Sequence, residues 1–96
     1  MIVNNFHSFQ AYLQQEKIFD RFGISRIGVF GSFARGEAYK DIDILIDETI
    51  PYQQLIALRE QLQYDLNVTV DIMLRQYAEP IILHRALKDM KYAVKS

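Results

Sequence analysis

The segment from Asp41 to Ile46 places an isoleucine at every second position, and it constrains the fold more than any other part of the chain. A period of two is typical of a β-strand that buries one of its faces. Asp41 and Asp43 then project together from the other face, with Cα atoms about 6.5–7 Å apart. This pattern predicts a sheet with one face in the core and two carboxylates on the other.

Helical and strand patterns flank this segment. The helical patterns cover residues 5–22, as two helices or one that bends, then begin again near Pro51 and at Pro80. Strands are predicted at Ile24–Phe30, Leu66–Leu74 and Lys91–Lys95. The order α-β-β-α-β-α-β predicts an α/β (α+β) fold, a small mixed sheet with helices packed on one side.

Length and composition bound the class of protein. A chain of 96 residues predicts a single domain, 1–96, with no room for a second substrate-binding domain. There is no apolar run of about 20 residues and no signal-peptide pattern, so we expect a cytoplasmic protein that does not enter a membrane. The absence of cysteine excludes disulfides and thiolate metal sites.

The distribution of charged residues indicates which kinds of macromolecule the chain could bind. A formal net charge of −1 argues against direct nucleic-acid binding, which needs many phosphate contacts from Lys and Arg. The C-terminal part, from Arg85 to Lys95, is nevertheless basic. A solvated surface is the simpler interpretation, and a docking surface for an acidic partner is the alternative.

A third carboxylate, Asp71, lies within the strand predicted at Leu66–Leu74. It can join Asp41 and Asp43 only if the two strands are neighbours. Two carboxylates about 5 Å apart repel by about 3 kcal/mol at an effective dielectric of 20. A divalent cation relieves such repulsion, and oxygen ligands favour Mg²⁺ or Mn²⁺. Taken singly, each acid is more simply a solvated surface residue.

A Gly31-Ser32 pair directly follows the strand predicted to end at Phe30. Glycine permits close backbone approach to an anion, serine adds a hydroxyl donor, and helix N-terminal amides beyond them can face a phosphate. Neither a P-loop nor a dinucleotide-binding glycine pattern is present. Alone, the pair predicts no more than a turn.

Together these segments form a recognisable motif. The run from Gly31 to Gly36, followed after four residues by Asp41 to Leu45, resembles the signature of the DNA polymerase β-like nucleotidyltransferase superfamily. The resemblance is closest to its minimal nucleotidyltransferase (MNT) antitoxin-type branch and extends over residues 26–71. It implies the fold of that superfamily in a single minimal domain.

The resemblance also implies roles for the acids. Asp41 and Asp43 would ligate two Mg²⁺ or Mn²⁺ ions. Asp71 would complete the ligands of the catalytic ion and help to deprotonate the attacking hydroxyl. All three would thus be catalytic residues as well as metal ligands.

For the donor, the resemblance implies ATP, with Gly31 and Ser32 on its β- and γ-phosphates. Arg35 belongs to the motif and is a further candidate for phosphate binding or for positioning the loop. Lys40 stands where the family usually has Ser or Thr. Its ammonium could help to hold the triphosphate or could compete with a metal ion.

The implied reaction is AMP transfer from ATP to a hydroxyl. In the minimal branch the acceptor is expected on a partner, an all-helical HEPN RNase toxin, and plausibly on one of its tyrosines. The chain would then be an antitoxin in a hetero-oligomer. Two alternatives stay open: a noncatalytic module that inhibits a helical partner by occlusion, and a small-molecule nucleotidyltransferase of the aminoglycoside type.

Overall fold

The sheet has four strands in the order β3-β2-β1-β4. The computed structural model describes residues 3–95. The strands are β1 (Arg26–Phe30), β2 (Asp41–Ile46), β3 (Thr69–Leu74) and β4 (Lys91–Val94). β1 pairs antiparallel with both β2 and β4, whereas β2 and β3 run parallel. The mixed sheet expected from the sequence is confirmed.

Within the described residues, five α-helices connect and cover the strands: α1 (Phe6–Gln15), α2 (Ile18–Phe22), α3 (Gly31–Ala34), α4 (Tyr52–Leu66) and α5 (Pro80–Asp89). The N-terminal helical pattern forms two helices because Lys17 adopts a left-handed conformation, with φ 53°. Gly23 ends α2 in the same conformation, with φ 65°. No helix within residues 3–95 has the length and apolar character needed to cross a bilayer.

The main core lies on the face of β2 that carries Ile42, Ile44 and Ile46, each no more than 1% exposed. The helices α1, α2 and α4 supply the other layer of this core. Their largest contributions are Phe9, Leu13, Ile18, Phe19, Leu58 and Leu62. The alternating pattern of β2 is therefore satisfied by helix packing on one side of the strand.

The start of β3 differs from the expected one. Leu66 is the last residue of α4 rather than the first of a strand, and β3 begins at Thr69. Asn67 causes the difference, because it adopts a left-handed conformation with φ 53° and its N–H donates to the Gln63 carbonyl. A short 3-10 helix, Arg75–Tyr77, follows β3.

The end of β2 is held by charges rather than left as a solvated turn. Asp47 accepts from Arg26 at 2.6 Å and from Arg75 at 3.2 Å. The topology explains both pairs, because the antiparallel β1 starts, and the parallel β3 ends, beside the end of β2. Glu48 adds a further contact at this end of the strand, since it accepts from the Ser25 N–H at 2.7 Å.

The other face of the sheet is covered over β1, where α5 packs against it. Beside β1, a Cβ at Gly28 would lie 2.6 Å from the Met90 sulfur and 3.4 Å from the Leu45 Cβ. Ala86 of α5 is buried here and separate from the main core. Over β2 and β3 the same face is partly open, because Asp41 and Asp43 are half-buried and Asp71 is exposed.

Candidate active site

The parallel pairing of β2 with β3 brings the third acid to the first two. Asp43 lies directly opposite Asp71, and Asp41 lies opposite Thr69. Residues that are directly paired in register present their side chains on the same face of a sheet. The condition set by the sequence is therefore met: the strands are neighbours, and the three carboxylates share one face.

Asp43 lies at the centre of this group. Burial raises the pKa of its carboxyl, and the negative charges of Asp71 and then Asp41 raise it further. Within residues 3–95, none of the three acids forms an ion pair with a Lys, Arg or His. The face thus carries negative charge that the surrounding protein does not compensate.

This donor set fits a divalent cation in its chemistry. Its ligands are carboxylate oxygens, the kind that Mg²⁺ and Mn²⁺ prefer, and a cation would offset the repulsion that raises the pKa of Asp43. As the side chains stand, no three acidic or histidine residues in the described part of the chain are grouped closely enough to hold one ion. The metal-ligand roles of Asp41, Asp43 and Asp71 remain predictions.

Gly31 brings the predicted phosphate-binding turn against these acids. Phe30, the last residue of β1, pairs with Asp43, so the chain turns immediately above that carboxylate. Gly31 adopts φ 76°, and a Cβ built on it would lie 2.5 Å from Oδ2 of Asp43. Any other residue would be strained by this backbone conformation, and its Cβ would displace the Asp43 carboxylate.

The turn is anchored by the two residues that follow Ser32. Phe33 and Ala34 are each 1% exposed and belong to the main core. The Ser32 carbonyl accepts from the Glu37 N–H at 3.0 Å, which closes the loop after α3. Buried side chains on one side of the turn therefore fix the backbone of Gly31 and Ser32 on the other.

The remaining predicted residues are less central. The Arg35 guanidinium donates to Asp89 at 2.7 Å and to Glu37 at 3.0 Å. Lys40 is exposed and forms no ion pair with residues 3–95. Tyr39, in the loop before Asp41, packs edge-on against Phe33 with ring centroids 4.7 Å apart.

Sequence reasoning missed the contribution of α5. Asp89 binds Arg35, and Ile82, Arg85 and Asp89 line a cleft together with Gly31. The only available signal was the spacing of Ile82, Arg85 and Asp89, which places them on one face of a helix. That spacing does not indicate which element the face approaches.

Comparison with known proteins decides the family. Residues 14–95 match the model of the nucleotidyltransferase domain. The chain belongs to this family. The matched region of this nucleotidyltransferase includes the motif from Gly31 to Leu45. It also includes Asp71 on the neighbouring strand.

Individual relatives agree with that assignment. The nucleotidyltransferase is 38% identical to the protein adenylyltransferase MntA of Thermococcus cleftensis over 82 residues, which cover 81% of this chain and 83% of the relative. A solved structure of a candidate minimal nucleotidyltransferase is 25% identical, covers 95% of each chain and gives a TM-score of 0.70. The expected resemblance to the minimal branch and the expected fold are confirmed.

A third comparison shows the fold alone. A complex from Shewanella oneidensis, described as a tri-AMPylated HEPN toxin with its MNT antitoxin, contains a chain 22% identical to this nucleotidyltransferase. The match covers 88% of this chain and 72% of the other, with a TM-score of 0.58. The overall fold is thus shared with a chain of that complex.

Proposed function

We propose that this nucleotidyltransferase transfers AMP from ATP to a hydroxyl of a helical partner protein, a tyrosine of a HEPN RNase toxin, and thereby acts as its antitoxin. One observation carries the proposal: Asp43 adjoins both Asp71, its partner in the sheet, and Gly31, in the phosphate-binding turn. A carboxylate pair and a phosphate turn that meet at one side chain suit transfer of a nucleotidyl group from one oxygen to another.

The donor, ATP, would extend from the turn at Gly31 and Ser32 to the acidic residues of β2 and β3. Gly31 and Ser32 would hold the β- and γ-phosphates, which places the α-phosphate beside Asp41 and Asp43. These carboxylates, with Asp71, would hold Mg²⁺ or Mn²⁺, which when bound would supply positive charge to the phosphates. Lys40 precedes Asp41 and is exposed, so its ammonium can add to that charge.

The chemical step is an exchange of one phosphorus–oxygen bond for another. The acceptor oxygen attacks the α-phosphorus, and the bond from that phosphorus to the bridging β-phosphate oxygen breaks. Asp71 is exposed at the edge strand β3, where it can take the proton from the incoming hydroxyl. Pyrophosphate then leaves on the opposite side, toward Gly31 and Ser32.

A partner must orient the acceptor, because the described domain offers only an open face at Asp71. Correct orientation of the reacting groups lowers a reaction barrier by about 7–11 kcal/mol in favourable cases. A hydroxyl on an undocked acceptor should therefore react poorly. The MntA relative is called a protein adenylyltransferase, and the Shewanella oneidensis complex contains an AMPylated HEPN toxin. Both names support a protein acceptor.

Modification would silence the toxin through charge and bulk. An AMP group adds a negative phosphate and a nucleoside to the tyrosine side chain. Near an RNase site, this group repels and blocks the phosphates of incoming RNA. The cytoplasmic location expected from the sequence, where such a toxin would act, also stays a prediction.

Co-expression with the helical partner tests the proposal. We expect intact-mass spectrometry of the partner to show added mass in AMP-sized steps with the wild-type protein and none with Asp43→Asn. Glu60→Gln is the matched control, because it removes an exposed carboxylate of α4 far from β2 in the chain. A partner that is unmodified yet inhibited by Asp43→Asn would favour occlusion instead.

A further inference from the structure

A cleft of about 250 Å³ lies beside the phosphate-binding turn, between α3 and α5. Gly31 and Arg35 line one side of it, and Ile82, Arg85 and Asp89 of α5 line the other. Gly31 also borders Asp43, so the cleft and the acidic face share a wall. A ligand that binds at the acids can therefore extend into the cleft.

The two helices are tied together at this cleft. Arg35 donates to Asp89 at 2.7 Å, and the small, buried Ala86 allows α5 to pack closely. Arg35 is also bonded to Glu37 at 3.0 Å. Two of the five N–H donors of the Arg35 guanidinium are thus engaged by carboxylates, so its charge is already paired within the fold.

Arg85 provides the other guanidinium of the cleft. It lies four residues before Asp89, so both side chains occupy the same face of α5, one turn apart. The Arg35–Asp89 bond therefore holds Arg85 along α3. Within residues 3–95 Arg85 forms no salt bridge, and its side chain is exposed. Arginine stays charged at any physiological pH.

We propose that Arg85 binds the β- and γ-phosphates of the donor and stays bound to the pyrophosphate as it leaves. The inference rests on the proposed function, which places those phosphates at Gly31 and Ser32. A guanidinium offers two parallel donors to phosphate oxygens, and such charge-assisted bonds are among the stronger ones in proteins. Phe30 and Ile82 also line the cleft, and Ile82 is 48% exposed, so a ligand can reach Arg85 from solvent.

Calorimetric titration tests this assignment with three probes in the presence of Mg²⁺: ATP, inorganic pyrophosphate and AMP. Arg85→Gln should weaken the binding of ATP and pyrophosphate about tenfold and that of AMP by less than about twofold. Lys88→Gln is the matched control, since Lys88 is an exposed cation on the same helix that does not line the cleft. Its three affinities should match those of the wild type.

Arg85→Lys separates charge from geometry and should recover part of the lost affinity. Equal weakening of ATP and AMP by Arg85→Gln would place Arg85 on the nucleoside and overturn the assignment. Unchanged ATP and pyrophosphate binding in Arg85→Gln would overturn it as well, while leaving the proposed function intact. A wild-type protein that binds neither ATP nor pyrophosphate would instead contradict the proposed function itself.

Discussion

The two faces of β2 have the same backbone and opposite roles. Ile42, Ile44 and Ile46 are at most 1% exposed and join the helices in the core. Asp41 and Asp43, one residue out of phase, are half-buried on the other face and carry charge that no cation in residues 3–95 pairs with. Residues that stabilise the core and the proposed catalytic acids therefore alternate along one strand.

The two faces also differ in what they demand of the fold. The isoleucine face requires only that an apolar layer cover it. The acidic face requires two registers at once, Phe30 opposite Asp43 and Asp43 opposite Asp71. A slip of one residue in either pairing would separate the groups and move side chains to the wrong face. We therefore expect activity to depend on the register of these strands, and stability to depend on burial of the isoleucine face.

The largest effect on stability should come from the isoleucine face. Ile44→Ala removes a fully buried side chain at the centre of the sheet. We expect the free energy of unfolding to fall by about 2–5 kcal/mol because of the lost transfer energy and the cavity. Urea denaturation measures this change. A loss below about 1 kcal/mol would show that the core relaxes around the cavity.

A substitution on the acidic face should lower activity without lowering stability. Asp43→Asn keeps the shape of the side chain and should lower the rate of AMP transfer by at least about 10²–10³-fold, which corresponds to about 3–4 kcal/mol of barrier. Without metal, the free energy of unfolding should not fall, because the variant removes repulsion from Asp71 and Asp41. Wild-type transfer rates in this variant would contradict the assignment of the face.

Two glycines sharpen the comparison, because they share a backbone conformation and differ in surroundings. Gly31 and Gly36 both have φ 76°, but a Cβ meets Asp43 only at Gly31 and meets nothing within 4 Å at Gly36. Replacement by alanine should cost each variant about 1–2 kcal/mol of stability through backbone strain. Transfer should fall strongly only in Gly31→Ala. Equal transfer rates in the two variants would show that contact with Asp43 is unimportant.

The smallest effect should appear in the pH dependence of stability without metal. Burial and the neighbouring acids raise the pKa of Asp43 above its unfolded value, so folding favours the protonated form. Its contribution is fully present below the unfolded pKa and is lost as pH rises through the folded pKa. The melting temperature of Asp43→Asn, relative to wild type, should therefore increase from about pH 4 upward. A constant difference would indicate that Asp43 has an ordinary pKa.

Local patterns in the sequence predicted the strands, the helices and the phase of β2. The alternation from Asp41 to Ile46 predicts which face is buried, because period two admits a single solution once one face is apolar. The helical pattern over residues 5–22 likewise ends where α2 ends, and Gly23 follows it in a left-handed conformation. The motif of the family added the association of Gly31 with the acids, which no local pattern could supply.

Contacts between distant segments were not predictable. The pairs of Asp47 with Arg26 and Arg75 depend on which strands lie beside β2. The bond from Arg35 to Asp89 depends on how α5 crosses the sheet, which periodicity does not specify. The sequence pattern places Leu66 in β3, because an apolar residue beside a strand pattern suits either a helix or a strand. Only the left-handed Asn67 separates them.

Label transfer from ATP to the helical partner tests the central claim most directly. Two parallel reactions, with radiolabel on the α-phosphate or on the γ-phosphate, report which part of the donor moves. We expect the α-label to enter the partner, the γ-label to leave in pyrophosphate, and Asp43→Asn to abolish the transfer. A partner labelled from the γ-phosphate, or labelled from neither position while still inhibited, would contradict AMP transfer by this face.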